Sequence, residues 1–427
     1  MNKGATKGGI LAWAMFDFAN TIFSMNVVSL YFAVYIIDTL GKRPIYYSTA
    51  TSISMLLVVL LSPILGHRTD IVGRRKPSLF WVTAICCAAT ALIGISAGFG
   101  HDAFILLALF VVANTTYHLG LVFYNSLLPD IAPTGKIGMV SGIGVALGYV
   151  GAIVGMLLVM PFNEGSLLGW DVPFISGGGR SATFLPSSVL FFLFAIPTFI
   201  WVKEKHRPQA NSIKEKPFEK IIETLKDSKK YPGIRRFLVA SFLFQEGIQT
   251  AIVFMAVYSE KAMGMPDSAK VPFFIISTTG AAVGSWFFGR LTDSHSPKRI
   301  LSIVLLGWIV CLFLLLPVTT EVPFYILGVF IGALLGGIPT AARPLLVELA
   351  PPDAVGRFFG LYSLSGKAAA IVGPLIWGFV VLVLEPLGEN LAYRGAVLSL
   401  IVLIASGYFV LLPLKSQPMS EKPIEPE

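Results

Sequence analysis

Apolar runs long enough to cross a lipid bilayer occupy most of this sequence of 427 residues. A membrane helix needs ~20 mostly apolar residues to span the hydrocarbon core. Lipid offers the backbone no hydrogen bonds, so a spanning segment must pair its own polar groups, which favours helices. The sequence predicts twelve spans, numbered in chain order: 10–37, 46–65, 78–99, 103–127, 138–161, 183–202, 236–258, 271–289, 299–318, 323–347, 358–384 and 391–413.

The composition excludes several classes of protein. Only 13% of the residues are charged, whereas soluble domains carry roughly 25%. A soluble enzyme, a nucleic-acid-binding domain and a disordered chain are therefore excluded. The net charge of +8 does not require a nucleic-acid partner, because the basic residues lie in short loops between the apolar runs.

These basic residues predict the orientation of the chain, because Lys and Arg are enriched in cytoplasmic loops. With the N-terminus inside, 25 of the 32 Lys and Arg residues lie on the cytoplasmic side and 6 on the outer side. We therefore expect an integral, multi-pass membrane protein with both termini in the cytoplasm. In a bacterium it would lie in the plasma (inner) membrane.

The longest predicted cytoplasmic loop, 203–235, separates six spans from six. It is rich in Lys and contains an amphipathic stretch, which we expect to lie on the membrane surface. The predicted organisation is an N-terminal six-helix bundle over 1–202, a linker over 203–235, and a C-terminal six-helix bundle over 236–427 that ends in a short cytoplasmic tail.

The two halves repeat each other in sequence. Leu127–Pro133 matches Leu345–Pro351, and other matches follow in nearly constant register. Parallel repeats of six spans are typical of one large class of secondary transporters. The further matched pairs are Gly66 and Gly289, Asp70 and Asp293, Gly135 and Gly356, Gly144 and Gly366, Gly151 and Gly373, Asp17 and Glu246, Asn20 and Gln249, and Thr21 and Thr250.

The loop between spans 2 and 3 reads Gly66-His67-Arg68-Thr69-Asp70-Ile71-Val72-Gly73-Arg74-Arg75-Lys76. It resembles the signature loop of the major facilitator superfamily, although Ile71 stands where a basic residue is common. A degraded second copy runs from Gly289 to Arg299. The resemblance implies an all-α membrane protein with twelve transmembrane helices in two pseudo-symmetric six-helix bundles, the major facilitator fold.

The residue types in this loop suit a cytoplasmic gate. Gly66 lacks a Cβ and would let a neighbouring helix approach, and Asp70 could pair with Arg74 or lie near a helix N-terminus. Alternatively, the basic residues only fix topology. The residues that we expect in gating or conformational change are Gly66, Asp70, Gly73, Arg74, Arg75, Asp293, Arg343 and Arg357.

Two acidic residues at corresponding span ends have a simpler expected role. Asp130 should pair with Lys136 across its turn, and Glu348 with Arg357. Glycines on span 5, at 144, 148, 151 and 155, and on span 8, at 280 and 284, permit helices to slide or to pack tightly.

A narrower resemblance rests on the segments Ala12–Asn20, Tyr124–Pro129, Ser141–Tyr149 and Phe359–Lys367. Together they look like the branch typified by vacuolar effluxers that export amino acids during autophagy. This resemblance implies transport of a small solute and suggests amino acids and efflux. In the superfamily, spans 1, 4, 7 and 10 line the central cavity.

Ionisable residues inside spans usually face a cavity or a partner, because burying them costs at least ~2.5–3.5 kcal/mol. Asp17 in span 1 and Glu246 in span 7 each precede polar residues at i+3 and i+4, on one helical face. Lys367 near the middle of span 11 could pair with either acid, meet a substrate carboxylate, or snorkel.

The candidate residues for binding substrate or protons are Asp17, Asn20, Thr21, Asn114, His118, Glu246, Gln249, Thr250 and Lys367. A poorly hydrated carboxylate can bind a proton on one side of the membrane and release it on the other. For the acids, the alternative is a structural hydrogen bond. His118 could carry protons near neutral pH or be structural.

The sequence therefore predicts a secondary active transporter that moves a small solute by alternating access, coupled to protons, as a monomer in the bilayer. We expect no enzyme activity, cofactor or metal, because no phosphate-binding loop, catalytic motif or metal-ligand pattern is visible. The alternatives are an uncoupled facilitator, a non-transporting membrane receptor and a membrane-embedded enzyme.

Overall fold

The computed structural model describes residues 7–100, 102–133, 137–204, 217–351 and 355–414. In that part of the chain, twelve helical segments are long and apolar enough to cross a membrane. The predicted all-α membrane architecture is therefore confirmed, and the chain is an integral, multi-pass membrane protein. The twelve segments are Lys7–Thr39, Pro44–Thr69, Lys76–Gly98, Ala103–Ile131, Met139–Glu164, Arg180–Trp201, Pro232–Met263, Asp267–Thr292, Pro297–Leu315, Glu321–Leu349, Arg357–Leu387 and Glu389–Leu411.

The α-helices are numbered in chain order. They are α1 Lys7–Phe23, α2 Phe32–Val34, α3 Pro44–Val72, α4 Lys76–Gly98, α5 Ala103–Ile131, α6 Ile137–Glu164, α7 Phe184–Trp201, α8 Pro217–Asp227, α9 Pro232–Met263, α10 Asp267–Ser294, α11 Pro297–Leu315, α12 Glu321–Leu349, α13 Val355–Leu384 and α14 Glu389–Leu411. A short hairpin of β1 Ser166–Leu167 and β2 Trp170–Asp171 lies between α6 and α7.

The first span is not a plain α-helix. After α1 it continues as π-helix over Ser24–Tyr31, returns to α-helix in α2, and ends as π-helix over Tyr35–Thr39. Asn26 Nδ2 donates to the Ile22 carbonyl at 3.0 Å. This side chain competes with the backbone for an acceptor one turn back, which favours a locally wider helix. Hydropathy alone predicts only one long apolar segment here.

The chain divides into two compact units. Unit 1 covers the sequence ranges Met1–Pro217, Val253–Val257 and Pro266–Val271. Unit 2 covers Phe218–Ile252, Tyr258–Met265 and Pro272–Glu427. Two short pieces of the second half of the sequence thus group with the first half. Helix α8 lies within the predicted linker, and residues 205–216 of that linker lie outside the described part of the chain.

Glycines on α6 hold α1 at very short range inside unit 1. A Cβ on Gly151 would lie 2.6 Å from the Cα of Phe18, and one on Gly155 would lie 2.8 Å from Cγ1 of Ile22. Real Cβ atoms do not come so close to backbone, so only glycine fits at Gly151. The α6 glycines therefore serve tight packing within unit 1.

The glycines of α10 have the same role inside unit 2. A Cβ on Gly280 would lie 2.6 Å from the carbonyl oxygen of Val329 on α12. In return, a Cβ on Gly336 of α12 would lie 2.7 Å from the backbone nitrogen of Ser285. The two helices interlock through small residues, as membrane helices do when close backbone approach replaces a hydrophobic driving force.

The α1–α6 contact generates a stability prediction. Gly151→Ala should destabilise the protein by about 1–3 kcal/mol, because the added methyl overlaps rigid backbone. The measurement is the melting temperature of the detergent-purified protein. Gly142→Ala is the matched control, because a Cβ there meets no described atom within 4 Å. Equal melting temperatures for the two variants would contradict the packing role.

Candidate functional site

Asp17 lies in a polar cluster of unit 1 formed by α1 and α5. Its Oδ2 accepts a hydrogen bond from the Tyr124 hydroxyl at 3.0 Å, and its Oδ1 accepts one from Asn20 Nδ2 at 3.1 Å. Among the described residues of unit 1, no basic side chain pairs with Asp17. The carboxyl group is therefore held by neutral donors only, which bind a carboxylate less strongly than a cation would.

Aromatic packing fixes the position of Tyr124. Its ring stacks on Trp13 with the centroids 4.4 Å apart, and Phe16 lies 4.9 Å away. The Trp13 indole N–H also donates to the Tyr124 carbonyl at 3.2 Å. Sequence reasoning did not identify Tyr124 as the partner of Asp17. A signal was present, because Tyr117 and Tyr124 are seven residues apart and share one face of α5.

The structure brings Asn20 and Thr21 to Asp17, but their roles differ. Asn20 is buried, and its Oδ1 lies 3.4 Å from the Tyr117 hydroxyl. The Thr21 hydroxyl lies 2.8 Å from the Gly148 carbonyl and 3.0 Å from the Asp17 carbonyl. Thr21 thus joins α1 to α6, instead of presenting its hydroxyl to a ligand as the sequence analysis expects.

The two remaining candidates of span 4 lie on α5. The His118 ring packs edge-on against the neighbouring Tyr117 ring at 4.8 Å. Asn114 is buried, and its Oδ1 has no hydrogen-bond partner among the described residues. Neither side chain is joined to Asp17 by a hydrogen bond that the structure defines.

Glu246 on α9 is the most deeply buried acid among the described side chains of unit 2, at 1% exposure. Its carboxylate lies against α13, where a Cβ on Gly373 would be 2.8 Å from Oε2. The backbone N–H groups of Val372 and Gly373 lie near this carboxylate. Both also belong to the hydrogen-bonded interior of α13, so neither Glu246 oxygen has a hydrogen bond of normal geometry from a described residue. The buried Thr250 hydroxyl beside Gly373 also has none.

The glutamine of α9 that contacts α13 is Gln245, not Gln249, which the sequence predicts. Gln249 is exposed, whereas a Cβ on Gly366 would lie 2.5 Å from Gln245 Oε1. Gln245 also donates from Nε2 to the Ser241 hydroxyl. Gln245 directly precedes Glu246 in the sequence. The i+3 spacing from Glu246 favours Gln249 instead, so spacing alone does not identify Gln245.

Lys367 follows Gly366 on α13 and is half-buried. Within the described part of unit 2, its ammonium group has no ion-pair partner, and it does not pair with Glu246. Of the expected roles for Lys367, the ion pair with Glu246 is therefore not formed. A cation in this position retains its capacity to bind an anion.

The signature loop is held by contacts inside unit 1. Arg75 Nη1 lies 3.8 Å from Asp130 Oδ2 and donates to the Ser126 carbonyl at 3.1 Å. The Glu204 carboxylate accepts from the backbone N–H groups of Arg75 and Lys76, at the N-terminus of α4. Glu204 was missed because an acid at a span end has no distinctive pattern, although a carboxylate suits a helix N-terminus.

Within unit 1, the two glycines of this loop differ in what the local structure requires of them. A Cβ on Gly66 would meet no described atom of unit 1 within 4 Å, so no helix of unit 1 approaches it closely, and the expected close approach of a neighbouring helix stays a prediction. Gly73 instead has a clear requirement: it ends α3 in the left-handed conformation, with φ 68° and ψ 21°. The side chains of Asp70 and Asp293 lie outside what the structure describes, and that of Arg74 is exposed.

The basic residues of the second half are arranged differently from the expectation. Arg357 pairs with Asp227 of α8 at 3.3 Å, not with Glu348. The hydrogen bond from Lys230, together with Arg357, holds the pKa of Asp227 below its usual value. Arg343 is exposed on α12. Lys136, the expected partner of Asp130, lies outside the described residues.

A further ionic cluster of unit 1 was not predicted. Arg180 donates to Asp267 at 2.8 Å and to Asp38 at 2.7 Å, and the fully buried Lys270 donates to Asp267 at 2.7 Å. Asn163 also donates to Asp267 at 3.1 Å. All lie at span ends that the sequence places on the outer side. Charges at span ends are common, so their convergence is visible only in three dimensions.

Comparisons with known proteins agree with this architecture. The profile of the family described as "Vacuole effluxer Atg22 like" matches residues 45–138 and 134–417. An uncharacterized MFS-type transporter, YxiO of Bacillus subtilis, is 26% identical, with 94% of this chain and 93% of that protein covered. Autophagy-related protein 22 of Kluyveromyces lactis is 23% identical, with 83% and 76% covered.

Solved structures show the fold. A mutant of the nucleoside transporter NupG superimposes with a TM-score of 0.74 at 14% identity, covering 95% of this chain and 99% of that one. An inward-facing bacterial homologue of the human lysosomal transporter Spinster gives 0.67 at 14% identity, with 95% of each chain covered. The predicted major facilitator fold is confirmed.

The two loop glycines give a paired prediction. Gly73→Ala should lower the stability by ~1 kcal/mol or more, because a Cβ is strained in the left-handed conformation. Gly66→Ala should not lower it, because the new methyl meets open space and alanine favours the helix. Melting temperatures of the two purified variants provide the measurement. A loss of stability in Gly66→Ala as large as that in Gly73→Ala would contradict this prediction and indicate that Gly66 packs closely against a neighbouring helix.

Proposed function

The chain belongs to the Atg22-like vacuole effluxer family of major facilitator transporters, and on this premise we propose that it exports a small carboxylate-bearing solute in exchange for protons, by alternating access. Transport is the function of the family. The coupling ion, the substrate class and the direction of transport are our proposal for this chain. We further propose that the chain acts as a monomer, with both termini in the cytoplasm, and that amino acids are the first solutes to test.

The burial of Glu246 is the single observation that carries the proton coupling. An ionised carboxylate that is removed from water without a cation or well-formed hydrogen bonds is costly. Enclosing Glu246 as seen here therefore requires a bound proton or a cationic ligand. When water reaches the site, the proton can leave. A group that must be neutral in one state and can be charged in another couples a conformational change to proton movement.

The surroundings of Asp17 support a second proton site. Tyr124 and Asn20 are its hydrogen-bond partners, and neither carries a charge. A phenol both donates and accepts, so Tyr124 can stay bonded to Asp17 with or without a proton on the carboxyl group. Among the described residues of unit 1, no basic side chain pairs with Asp17, so none loses its counter-charge when Asp17 is protonated. Asp17 can thus gain or lose a proton with little rearrangement.

Lys367 supports the substrate class. It is half-buried in a membrane span and has no counter-charge within the described part of unit 2. An unpaired ammonium in this environment is stabilised by an anionic ligand. A solute carboxylate supplies that charge and accepts hydrogen bonds from the ammonium group. The family description supports efflux as the direction.

Flux in proteoliposomes tests the function. Vesicles with an imposed pH gradient and a pH-sensitive dye inside are screened with amino acids and short peptides. Solute movement with matching proton movement is expected. Solute movement that ignores the pH gradient would indicate a facilitator and contradict the coupling. Binding without flux would indicate a receptor and contradict transport.

Neutral isosteres of the two acids test the proton sites. Glu246→Gln and Asp17→Asn should each reduce proton-driven flux at least tenfold, while exchange of labelled for unlabelled solute continues. The reason is that an amide keeps the shape of the site but cannot exchange a proton. Asp171→Asn is the control, because Asp171 is exposed on β2. Proton-driven flux at the unmodified rate in both variants would contradict the assignment.

A neutral side chain at 367 tests the substrate class. Lys367→Gln should raise the KM for a carboxylate solute roughly 10- to 150-fold, the equivalent of ~1.5–3 kcal/mol for a hydrogen bond to a charged group. The KM for the corresponding amide should change little. The exposed Lys203, changed to Gln, is the control. Equal effects on acid and amide would show that Lys367 does not bind the carboxylate.

A further inference from the structure

The helix α8 presents an apolar stripe that unit 2 does not cover. Ile222 and Leu225 are on one side and are 50% and 55% exposed. The charged residues Glu219, Glu223 and Lys226 are exposed as well. A short helix with this division, placed directly before a membrane span, lies along the bilayer surface with its apolar side toward the lipid chains.

A cavity of about 500 Å³ opens between α8, the first turns of α9 and α13. Its walls are mostly aliphatic and aromatic, with Leu225 from α8, Leu238 and Phe242 from α9, and Leu361 and Leu364 from α13. The volume falls within the range of ordinary ligand sites, ~300–1,000 Å³. Phe242 is ten residues into α9, so at ~1.5 Å per residue the cavity reaches from the surface into hydrocarbon depth.

Lys229 and Arg235 supply positive charge at the surface end of this cavity. Both side chains line it and are exposed. The nearby acid, Asp227, is already engaged by Lys230 at 2.8 Å and Arg357 at 3.3 Å. Among the described residues, neither Lys229 nor Arg235 has an ion-pair partner. Two cations thus remain available for an anion from outside the protein.

We propose that this groove is a binding site for an anionic glycerophospholipid. One acyl chain occupies the apolar walls formed by Leu225, Leu238, Phe242 and Leu364, and the phosphate lies between Lys229 and Arg235. The two cations favour a ligand with an anionic headgroup, and the deep apolar walls favour one with a long apolar chain. An anionic lipid of the same leaflet has both. Basic residues near an anionic surface each contribute to such binding, and the contribution is short-ranged.

Native mass spectrometry of the full-length protein, titrated with phosphatidylglycerol or phosphatidylcholine, tests the site. The unmodified protein should bind phosphatidylglycerol at least tenfold more tightly. The double variant Lys229→Gln, Arg235→Gln should lose roughly five-fold per removed charge. Leu225→Gln should weaken both lipids, and it replaces an exposed side chain, so folding is retained.

A charge-matched control separates the groove from the general charge of the loop. Lys226→Gln with Arg236→Gln removes two exposed basic residues from the same stretch, neither of which lines the cavity. This control should stay within twofold of the unmodified protein. An equal loss in the control, or unchanged lipid binding in the Lys229 and Arg235 variant, would overturn the proposal.

The same experiment distinguishes the lipid from two other possible occupants of the groove, a simple anion and a second copy of the chain. Inorganic phosphate or glycerol phosphate should compete only weakly, because neither fills the apolar walls. Competition equal to that of the lipid would assign a simple anion site. A dimer that is lost in Leu225→Gln and does not depend on lipid would assign the groove to a second copy of the chain. Either result would overturn the lipid assignment.

Discussion

Close backbone contact over glycine is the constraint on which both candidate clusters depend. In unit 1, α1 lies on α6 at Gly144 and Gly151, and in unit 2, α9 lies on α13 at Gly366 and Gly373. A Cβ at Gly144 would lie 2.7 Å from Asp17 Oδ2, and one at Gly373 would lie 2.8 Å from Glu246 Oε2. These are the pairs of glycines that repeat between the halves of the sequence. The repeat therefore has a physical meaning: each half leaves room for an acid where two helices touch.

The same geometry gives the two acids different surroundings. Asp17 accepts hydrogen bonds from the Tyr124 hydroxyl and the Asn20 amide, whereas Glu246 is enclosed beside backbone N–H groups of α13 that give it no hydrogen bond of normal geometry. Related positions in duplicated halves have thus become chemically unequal. Asp17 can keep its hydrogen bonds in either charge state, and we propose that Glu246 takes a proton or a cationic ligand when it is enclosed.

Charged residues at the span ends mainly serve local structure in the described part of the chain. Glu204 accepts from the first amides of α4, Arg75 reaches Asp130, and Arg357 reaches Asp227. Two of these side chains, Arg75 and Arg357, are among those that the sequence predicts to act in gating. Lys229 and Arg235 differ, because the nearby acid, Asp227, already pairs with Lys230 and Arg357, and because both side chains are exposed. That difference supports a lipid site there.

The sequence by itself determined the twelve spans, the all-α class, the duplication and the family, because hydropathy, helical spacing and motif order are local properties of the chain. It also found Asp17 and Glu246, since an acid in an apolar run stands out. Only the tertiary structure decided their partners. Tyr124 is 107 residues from Asp17 in the sequence, and it is Gln245, not Gln249, that contacts Gly366. Which side chains meet depends on how distant helices pack and rotate, and no short-range pattern contains that information.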